Sequence, residues 1–471
     1  MFFGTRIEYN VGIKQIIIEY LYMISFQNIL FSVLLVLGVC SGEAQKTWSL
    51  EDCINYAIDH NLALKEFTYT QHENTETYRQ SIRNLLPSIN GYTDYNIQYG
   101  RSIDPNNNAI INTDFFSNNF ALTAEMDLFR GFQKVNTIRA SKFLKKAAQE
   151  EATHQKYLLA FRVLSAFYDI QFMEGLLSIS KEQEAVSASN LALVKKQVEL
   201  GQKAKADLYD AQAILISDQL VVTQNQNNVE AAKLKLIQEM NLEEANTINI
   251  QPVLFEKLRD NTDNTDDKDA IFTSAKNNIP LIKAQEWRTK AAETSINVSR
   301  GNLYPLLSLY GGYQTGFFET NQNQNTGEVI PFNTQIKDNA AQYVGVSLSI
   351  PISAAWSNRS EIKQKKIALL KAENNYNIQK QELYELIQQL VQERKALYNE
   401  YEQSVQKLEA QQLAFDIARK RYEKGLISAV ELNQSKNTFA STQNENLQVQ
   451  MRLTVNERTL DFYRGLPIFN I

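Results

Sequence analysis

The stretch AAWSNRSEIKQKKIALLKAENNYNIQKQELYELIQQLVQERKALYNEYEQSVQKLEAQQLAFDIARKRYEK, residues 354–424, contains neither proline nor glycine. Its apolar positions Ile387, Leu390, Val391, Leu397, Tyr398, Tyr401, Val405 and Leu408 recur at spacings of three and four, with Gln, Glu, Lys and Asn between them. That period predicts one amphipathic helix, and at 1.5 Å per residue it runs about 100 Å, too long to wrap a compact core. Only a wall of antiparallel coiled-coil helices accommodates such an element.

Working outward, the chain contains the same plan twice. Arg130 to Leu200 is a second long helical stretch, without proline and with one glycine past its first turn. Shorter helical patterns of roughly 35 residues fall at Ser49 to Asn84, Ala206 to Leu242, Asp269 to Gly301 and Val430 to Arg464, so that each pair, stacked end to end, matches one long helix. Val198-Glu199-Leu200-Gly201 with Asp207 downstream answers Tyr422-Glu423-Lys424-Gly425 with Glu431 downstream. A polar stretch containing Asn261 to Asp267 separates the copies. The expected organisation is a first repeat over 45–252, a linker over 253–268 and a second repeat over 269–471.

Between the helices, residues alternate with period two, the mark of strands. Strands are expected near 87–99, 118–129, 305–317 and 342–352. In the second, Phe120, Leu122, Ala124, Met126 and Leu128 form an apolar series. In the fourth, Val344, Val346, Leu348 and Ile350 do so. Segments of about ten residues with one greasy and one polar face, joined by Asn-rich loops at 101–118 and 315–341, suit a transmembrane barrel. A half-buried soluble sheet shows the same alternation. If the strands cross a membrane, four per chain are too few to close a barrel, and identical copies must complete it.

Composition narrows the class. The 471 residues carry 48 Lys plus Arg against 53 Asp plus Glu, a formal net charge of -5 that gives no field for wrapping nucleic acid. Two cysteines and 3 histidines allow neither a disulfide framework nor a Cys-based metal site. His60, His72 and His154 form no H-E-x-x-H set, and no G-x-S-x-G or phosphate loop is present, so no enzyme, cofactor or metal is expected. The apolar run Ile29 to Val39, followed by Gly42-Glu43-Ala44, reads as a signal peptide over 1–44, cleaved after Ala44, with Met23 as an alternative start. Cys40 follows Leu37-Gly38-Val39, a poor lipobox because Val39 is bulky, and is expected to leave with the signal.

These features together resemble the TolC family of outer-membrane efflux and secretion channels, over Trp48 to Leu466. The resemblance rests on Trp48-Ser49-Leu50-Glu51-Asp52-Cys53 with Ala57 and Asn61, on Leu86-Pro87-Ser88-Ile89 and Tyr304-Pro305-Leu306-Leu307 entering strands, on Leu128-Phe129-Arg130-Gly131 and Ile350-Pro351-Ile352 leaving them, and on the Gly201/Asp207 and Gly425/Glu431 turns. Gly100-Arg101-Ser102-Ile103-Asp104-Pro105-Asn106 is similar to Bacteroidetes members. The resemblance implies an α+β membrane protein, a homotrimer with a twelve-stranded β-barrel in outer-membrane lipid and a coiled-coil α-helical barrel in the periplasm of a Gram-negative bacterium. It implies a passive duct working with a periplasmic adaptor and an inner-membrane transporter. Alternatives are a type I protein secretion duct and a non-channel periplasmic coiled-coil scaffold.

Gly201 and Gly425 permit positive φ where helices reverse, and the resemblance makes these hairpin tips an adaptor-docking surface; both readings stand. Glu431 matches a family position of an acidic pore ring, while the next such position is Gln434; Ser428-Ala429-Val430-Glu431 is equally a capping box. The family's closed-state latch maps onto Asn190, Asp207 and Tyr422, and its arginine partner is Ile427 here. Asp127 stands where the second repeat has Pro351, with a lumen-facing or helix-initiating role expected. Nine aromatics, among them Tyr92, Tyr95, Tyr310, Tyr313, Tyr343 and Trp356, are candidates for interfacial girdles.

Overall fold

The computed structural model describes residues 47–103, 108–243, 247–253, 267–323, 325–352, 355–466 and 469. The signal segment 1–44 with Cys40, the loop residues Asp104, Pro105 and Asn106, and most of the 253–268 linker lie outside the described residues. Along the chain the described elements are β1 (Thr47–Trp48), α1 (Leu50–His60), α2 (Leu62–Arg83), β2 (Ser88–Gln98), β3 (Arg101–Ile103), β4 (Ile110–Asn112), β5 (Phe115–Arg130), α3 (Gln133–Glu199), α4 (Lys205–Met240), β6 (Asn249–Ile250), α5 (Lys268–Asn278), α6 (Pro280–Gly301), β7 (Leu306–Phe318), α7 (Phe332–Asp338), β8 (Ala341–Ser349), α8 (Ala355–Glu423) and α9 (Ala429–Arg464). By contacts the chain divides into two units. The small one contains the parallel pair β1 and β6, and the large one holds the other elements.

In the large unit α3 and α8, of 67 and 69 residues, run the full length of the helical wall. The shorter helices stack along them: α2 and α4 against α3, and α6 and α9 against α8, with α6 also beside α3 and α9 also beside α3. Burial is deepest midway, where Leu159, Ala160, Val163, Leu164, Phe167 and Ile170 of α3, and Leu236 and Met240 of α4, are at nearly zero exposure. Two helices expected to be continuous are broken. Asn61 separates α1 from α2: it leaves helical geometry and accepts from Leu64 N at 3.1 Å, while its Nδ2 donates to Glu239 O at 3.0 Å. Pro280 opens α6 at its first turn, and Ile279 before it is extended, as the residue preceding a proline prefers.

The four long strands form one antiparallel sheet in the order β2-β5-β7-β8. Register places Ile89 opposite Ala124, Ala124 opposite Gly311 and Gly311 opposite Val344, and likewise Met126 opposite Leu309 and Leu309 opposite Val346. Directly opposed residues share a face, so this face carries the apolar series. Its side chains are bare: Ile89 is 66%, Val344 80% and Leu348 62% exposed. The other face carries Asn90, Thr123, Gln314, Ser308 and Ser347.

The apolar alternation of β5 stops short of expectation. A bulge between Asp127 and Phe129 places Phe129, not Leu128, opposite Leu307. Tyr92, Tyr310 and Tyr343 lie on the polar face, so they are not girdle residues; the rings of Tyr310 and Tyr343 lie across Gly345 and Gly312 of the neighbouring strand and cover its bare backbone. Tyr95 and Tyr313 are on the apolar face. The described residues between β7 and β8 gather around Gln335, which is 1% exposed: its Nε2 donates to Phe318 O (3.0 Å) and Ile330 O (2.8 Å), and its Oε1 accepts from Phe318 N (3.0 Å). Phe332 of α7 then packs on Phe317 and Phe120, capping the far end of the apolar face.

Strands join helices at a tight crossing. Gly131 has φ +51°, and a Cβ there would strike the Gly301 backbone and Tyr304; a Cβ on Gly301 would meet Gln133 Cβ at 2.9 Å. Asp127 sits at this junction on the polar face. It accepts from Ser308 Oγ at 3.1 Å and pairs with Arg130 (3.5 Å) and Lys134 (3.3 Å), tying the end of β5 to the first turn of α3.

The candidate functional site at the hairpin tips

The helices reverse twice by the same backbone device. After α3, Gly201 N donates to Val198 O (3.0 Å) and Gln202 N to Gln197 O (2.8 Å); after α8, Gly425 N donates to Tyr422 O and Leu426 N to Arg421 O, both at 2.9 Å. These are paired Schellman closures, and they need the left-handed φ of +71° at Gly201 and +73° at Gly425. An acid at the third helical position joins the cap of each next helix. Asp207 Oδ2 accepts from Ala204 N at 3.1 Å, and Ser428 Oγ accepts from Glu431 N and donates to Glu431 Oε1, both at 3.2 Å. Leu200, Leu426 and Val430 stand 64%, 64% and 75% exposed around the turns, bare apolar groups among the described residues.

The structure does not bring Asn190, Asp207 and Tyr422 into one hydrogen-bonded set. Asp207 is used by its cap, and Asn190 Oδ1 is buried without a hydrogen-bond partner among the described residues. Tyr422 instead meets Lys203, whose Nζ donates to the phenol oxygen at 3.0 Å and lies 4.8 Å from the ring centroid. The Tyr422 ring is buried with Phe415 and Leu432, and Ile427 packs against that cluster. Gln434 lies on an exposed polar face of α9 with Asn433, Asn437 and Ser441, beside Lys407.

Above the tips lies a second connection between the two hairpins that sequence reading missed. Lys436 of α9 is 2% exposed, and its Nζ donates to Asp218 Oδ2 of α4 at 2.5 Å and to Ser187 Oγ of α3 at 2.8 Å. Ser187 Oγ donates in turn to the same Asp218 oxygen at 2.5 Å. A buried lysine needs such partners, because desolvating an unpaired ammonium is far costlier than the hydrogen bonds it forms. Lys203-Tyr422 and Lys436-Asp218-Ser187 therefore both clamp α3/α4 to α8/α9 within one chain. In sequence both lysines sit among polar residues and read as solvated; only the apolar neighbours at Leu432 and Phe439 hinted that this part of α9 is packed.

The family model for outer membrane efflux proteins matches residues 53–242 and 272–466. Outer membrane protein TolC of Vibrio cholerae serotype O1 is 25% identical over 329 residues, 69% of each chain. The cation efflux system protein CusC of Escherichia coli K12 is 21% identical over 415 residues, 86% of this chain and 84% of its own. Among solved structures, the Campylobacter jejuni CmeC outer membrane channel superposes with a TM-score of 0.75 at 15% identity, covering 88% of this chain and 85% of that one. The open state of the Neisseria gonorrhoeae MtrE outer membrane channel does so at 0.69 and 17% identity, covering 88% of both.

Proposed function

Because the chain belongs to the outer membrane efflux protein family, whose members are exit ducts of the Gram-negative outer membrane reaching into the periplasm, we propose that three copies close a twelve-stranded barrel over a coiled-coil tunnel. The observation that carries this is the pair of open sheet edges. Outward backbone groups of β2 and β8 have no strand partner among the described residues, and β2 and β8 run in opposite directions. An identical copy docked head to tail extends the sheet antiparallel, and repetition closes it, as lipid requires. The helical wall supports the same closure. Tyr209, Ile216 and Leu220 on α4, and Leu413 and Ile417 on α8, are exposed apolar positions that a neighbour's helices would cover.

In this reading the duct is passive. The hairpin tips at Gly201 and Gly425, with Leu200, Leu426 and Val430, receive a periplasmic adaptor, and an inner-membrane transporter supplies the energy. Asn190, Asp207, Tyr422, Glu431 and Gln434 belong to the tip that opens and closes, and the Lys203-Tyr422 and Lys436-Asp218-Ser187 clamps hold it closed. The two repeats, 45–252 and 269–471, each supply one strand pair and one tip. The test is the detergent-corrected mass of the particle extracted from outer membranes. Three chains support the closed barrel; a monomer or dimer overturns it.

A further inference from the structure

Four helices begin with acids in their first turn: Glu51 and Asp52 in α1, Asp207 in α4, Asp269 in α5 and Glu431 in α9. The positive end of the helix dipole favours that. The other five described helices have none there, α2, α6 and α7 as well as the two long helices that leave the sheet, but only the long ones go on into a dense run of cations. Neither α3 nor α8 has an acid in its first turn. Residues 133–148 carry Lys134, Arg139, Lys142, Lys145 and Lys146 and no acid, and residues 355–371 carry Arg359, Lys363, Lys365, Lys366 and Lys371 against Glu361 alone, in a chain of net charge -5. The dipole acts only on the first turn, where Lys134 alone lies, but five cations crowded on each segment repel one another and meet at most one acid within it, which leaves them available to an anion outside the helix.

Their faces say where. On α3, Lys145 reaches Tyr78 of α2, while Phe143 stacks on Trp287 of α6 and Gln133 bonds Asn302 at its end. At 3.6 residues per turn these contacts divide α3 into a narrow arc with Thr137 and Leu144 and a wide arc with Val135, Arg139, Lys142 and Lys146. In a ring of helices the wide arc is the outer one. On α8, Asn358 and Glu361 bond α6, and the same direction of rotation puts Trp356, Arg359, Lys363 and Lys366 on the outer arc. Arg139, Lys142, Arg359, Lys363 and Lys366 are exposed, and none of the six outer cations pairs with a carboxylate among the described residues; Lys146 rests 4.1 Å from the Trp287 ring and Arg359 5.7 Å from the Trp356 ring. Just above them, Phe132 touches Phe129 of the bare apolar sheet face.

We propose that Arg139, Lys142 and Lys146 of α3 with Arg359, Lys363 and Lys366 of α8 form a cationic collar that binds the anionic phosphate headgroups of the periplasmic leaflet, with Phe132, Val135 and Trp356 seated at the boundary with the acyl chains. Arg139 lies about 6 Å below Val135 along the helix, within a headgroup layer, and Lys142 and Lys146 lie about 10 and 16 Å below it, at its watery edge, from which long side chains reach back toward phosphates. Aromatic residues above lysines and arginines are the usual order at that interface. The proposal rests on the closed barrel above the collar.

The full-length particle, equilibrated with detergent micelles holding equal phosphatidylglycerol and phosphatidylcholine and then repurified, is assayed for retained phospholipid. Wild type is expected to retain phosphatidylglycerol about fivefold or more over phosphatidylcholine. Replacing the six cations with Gln abolishes the preference, and exchanging Arg and Lys at the same six positions keeps it. Three-residue Gln sets on α3 alone or α8 alone, each reducing the preference, serve if the sixfold variant does not assemble. No preference in wild type, a preference that survives neutralisation, or one lost on Arg/Lys exchange overturns the collar. So does loss of binding to purified peptidoglycan sacculi in the Gln variants with the lipid preference unchanged, which assigns the cations to the cell wall. A wild-type particle that is not a trimer refutes the barrel; a trimer without lipid preference refutes only the collar.

Discussion

Lys436 shows how much a single side chain depends on its setting in this protein. Its ammonium is shielded from water and held by Asp218 and Ser187. Asp218→Asn leaves that charge without its counter-charge, and the expected loss is about 3 kcal/mol or more. The pair Lys436→Met and Asp218→Leu removes both charges and recovers most of it; the thermal unfolding onset of the detergent-solubilised protein compares the two. His154 makes a pH-dependent prediction. Burial pushes its imidazole below the ordinary value, with Glu151 opposing weakly. The unfolded chain therefore binds the proton more readily than the folded one. Stability from this site is complete above about pH 6.5 and falls as pH drops below it. His154→Gln is expected to flatten that acid limb below about pH 6.5, measured by unfolding midpoints across pH. An unchanged limb assigns the acid sensitivity to other groups.

The elements were legible to different degrees, for physical reasons. α3 and α8 were readable because sixty-odd residues without proline leave few alternatives to helix, and their observed ends lie within three residues of expectation. The tips were readable because reversing a helix calls for a left-handed residue, which glycine adopts at little steric cost. The breaks at Asn61 and Pro280 were also written in the sequence as a cap residue and a first-turn proline, but the apolar pattern on either side masked them. What could not be read is pairing across distance. The bulge at Leu128, Lys203 on Tyr422 and Lys436 on Asp218 depend on the register between elements far apart in the chain, which no local period encodes. The β3-β4 hairpin and α7 were hidden likewise inside loops recognised only by their Asn content. At the element scale the crossing of Gly131 and Gly301 gives the sharpest test. Gly201→Ala meets nothing within 4 Å and pays only for its φ, about 1 kcal/mol, whereas Gly131→Ala meets the Gly301 backbone as well. The expected order of assembled yield is wild type, then Gly201→Ala, then Gly131→Ala well below both. Equal yields from the two variants mean the crossing yields easily.

At the scale of the whole assembly, Glu431 serves two masters. Its backbone and carboxylate are engaged by Ser428, which accounts for the residue as a helix cap. Three copies around an axis would add a ring of like charge at the tip that attracts cations. Glu431→Gln keeps the cap's geometry and removes the ring, so a lower cation preference in planar-bilayer recordings is expected; unchanged conductance and selectivity leave capping as its whole role. The long helices add a mechanical consequence. α3 and α8 hold no proline to hinge on; α3 leaves the sheet at the tight crossing of Gly131 and Gly301, and α8 is bonded next to it through Asn358 to Asn302 O, so each is a stiff arm held at its sheet end. On an arm of about 100 Å, a turn of only about 3° at the fulcrum sweeps the far end by about 5 Å, close to one helical pitch. A rotation that small at the sheet end therefore displaces the tips by several ångströms.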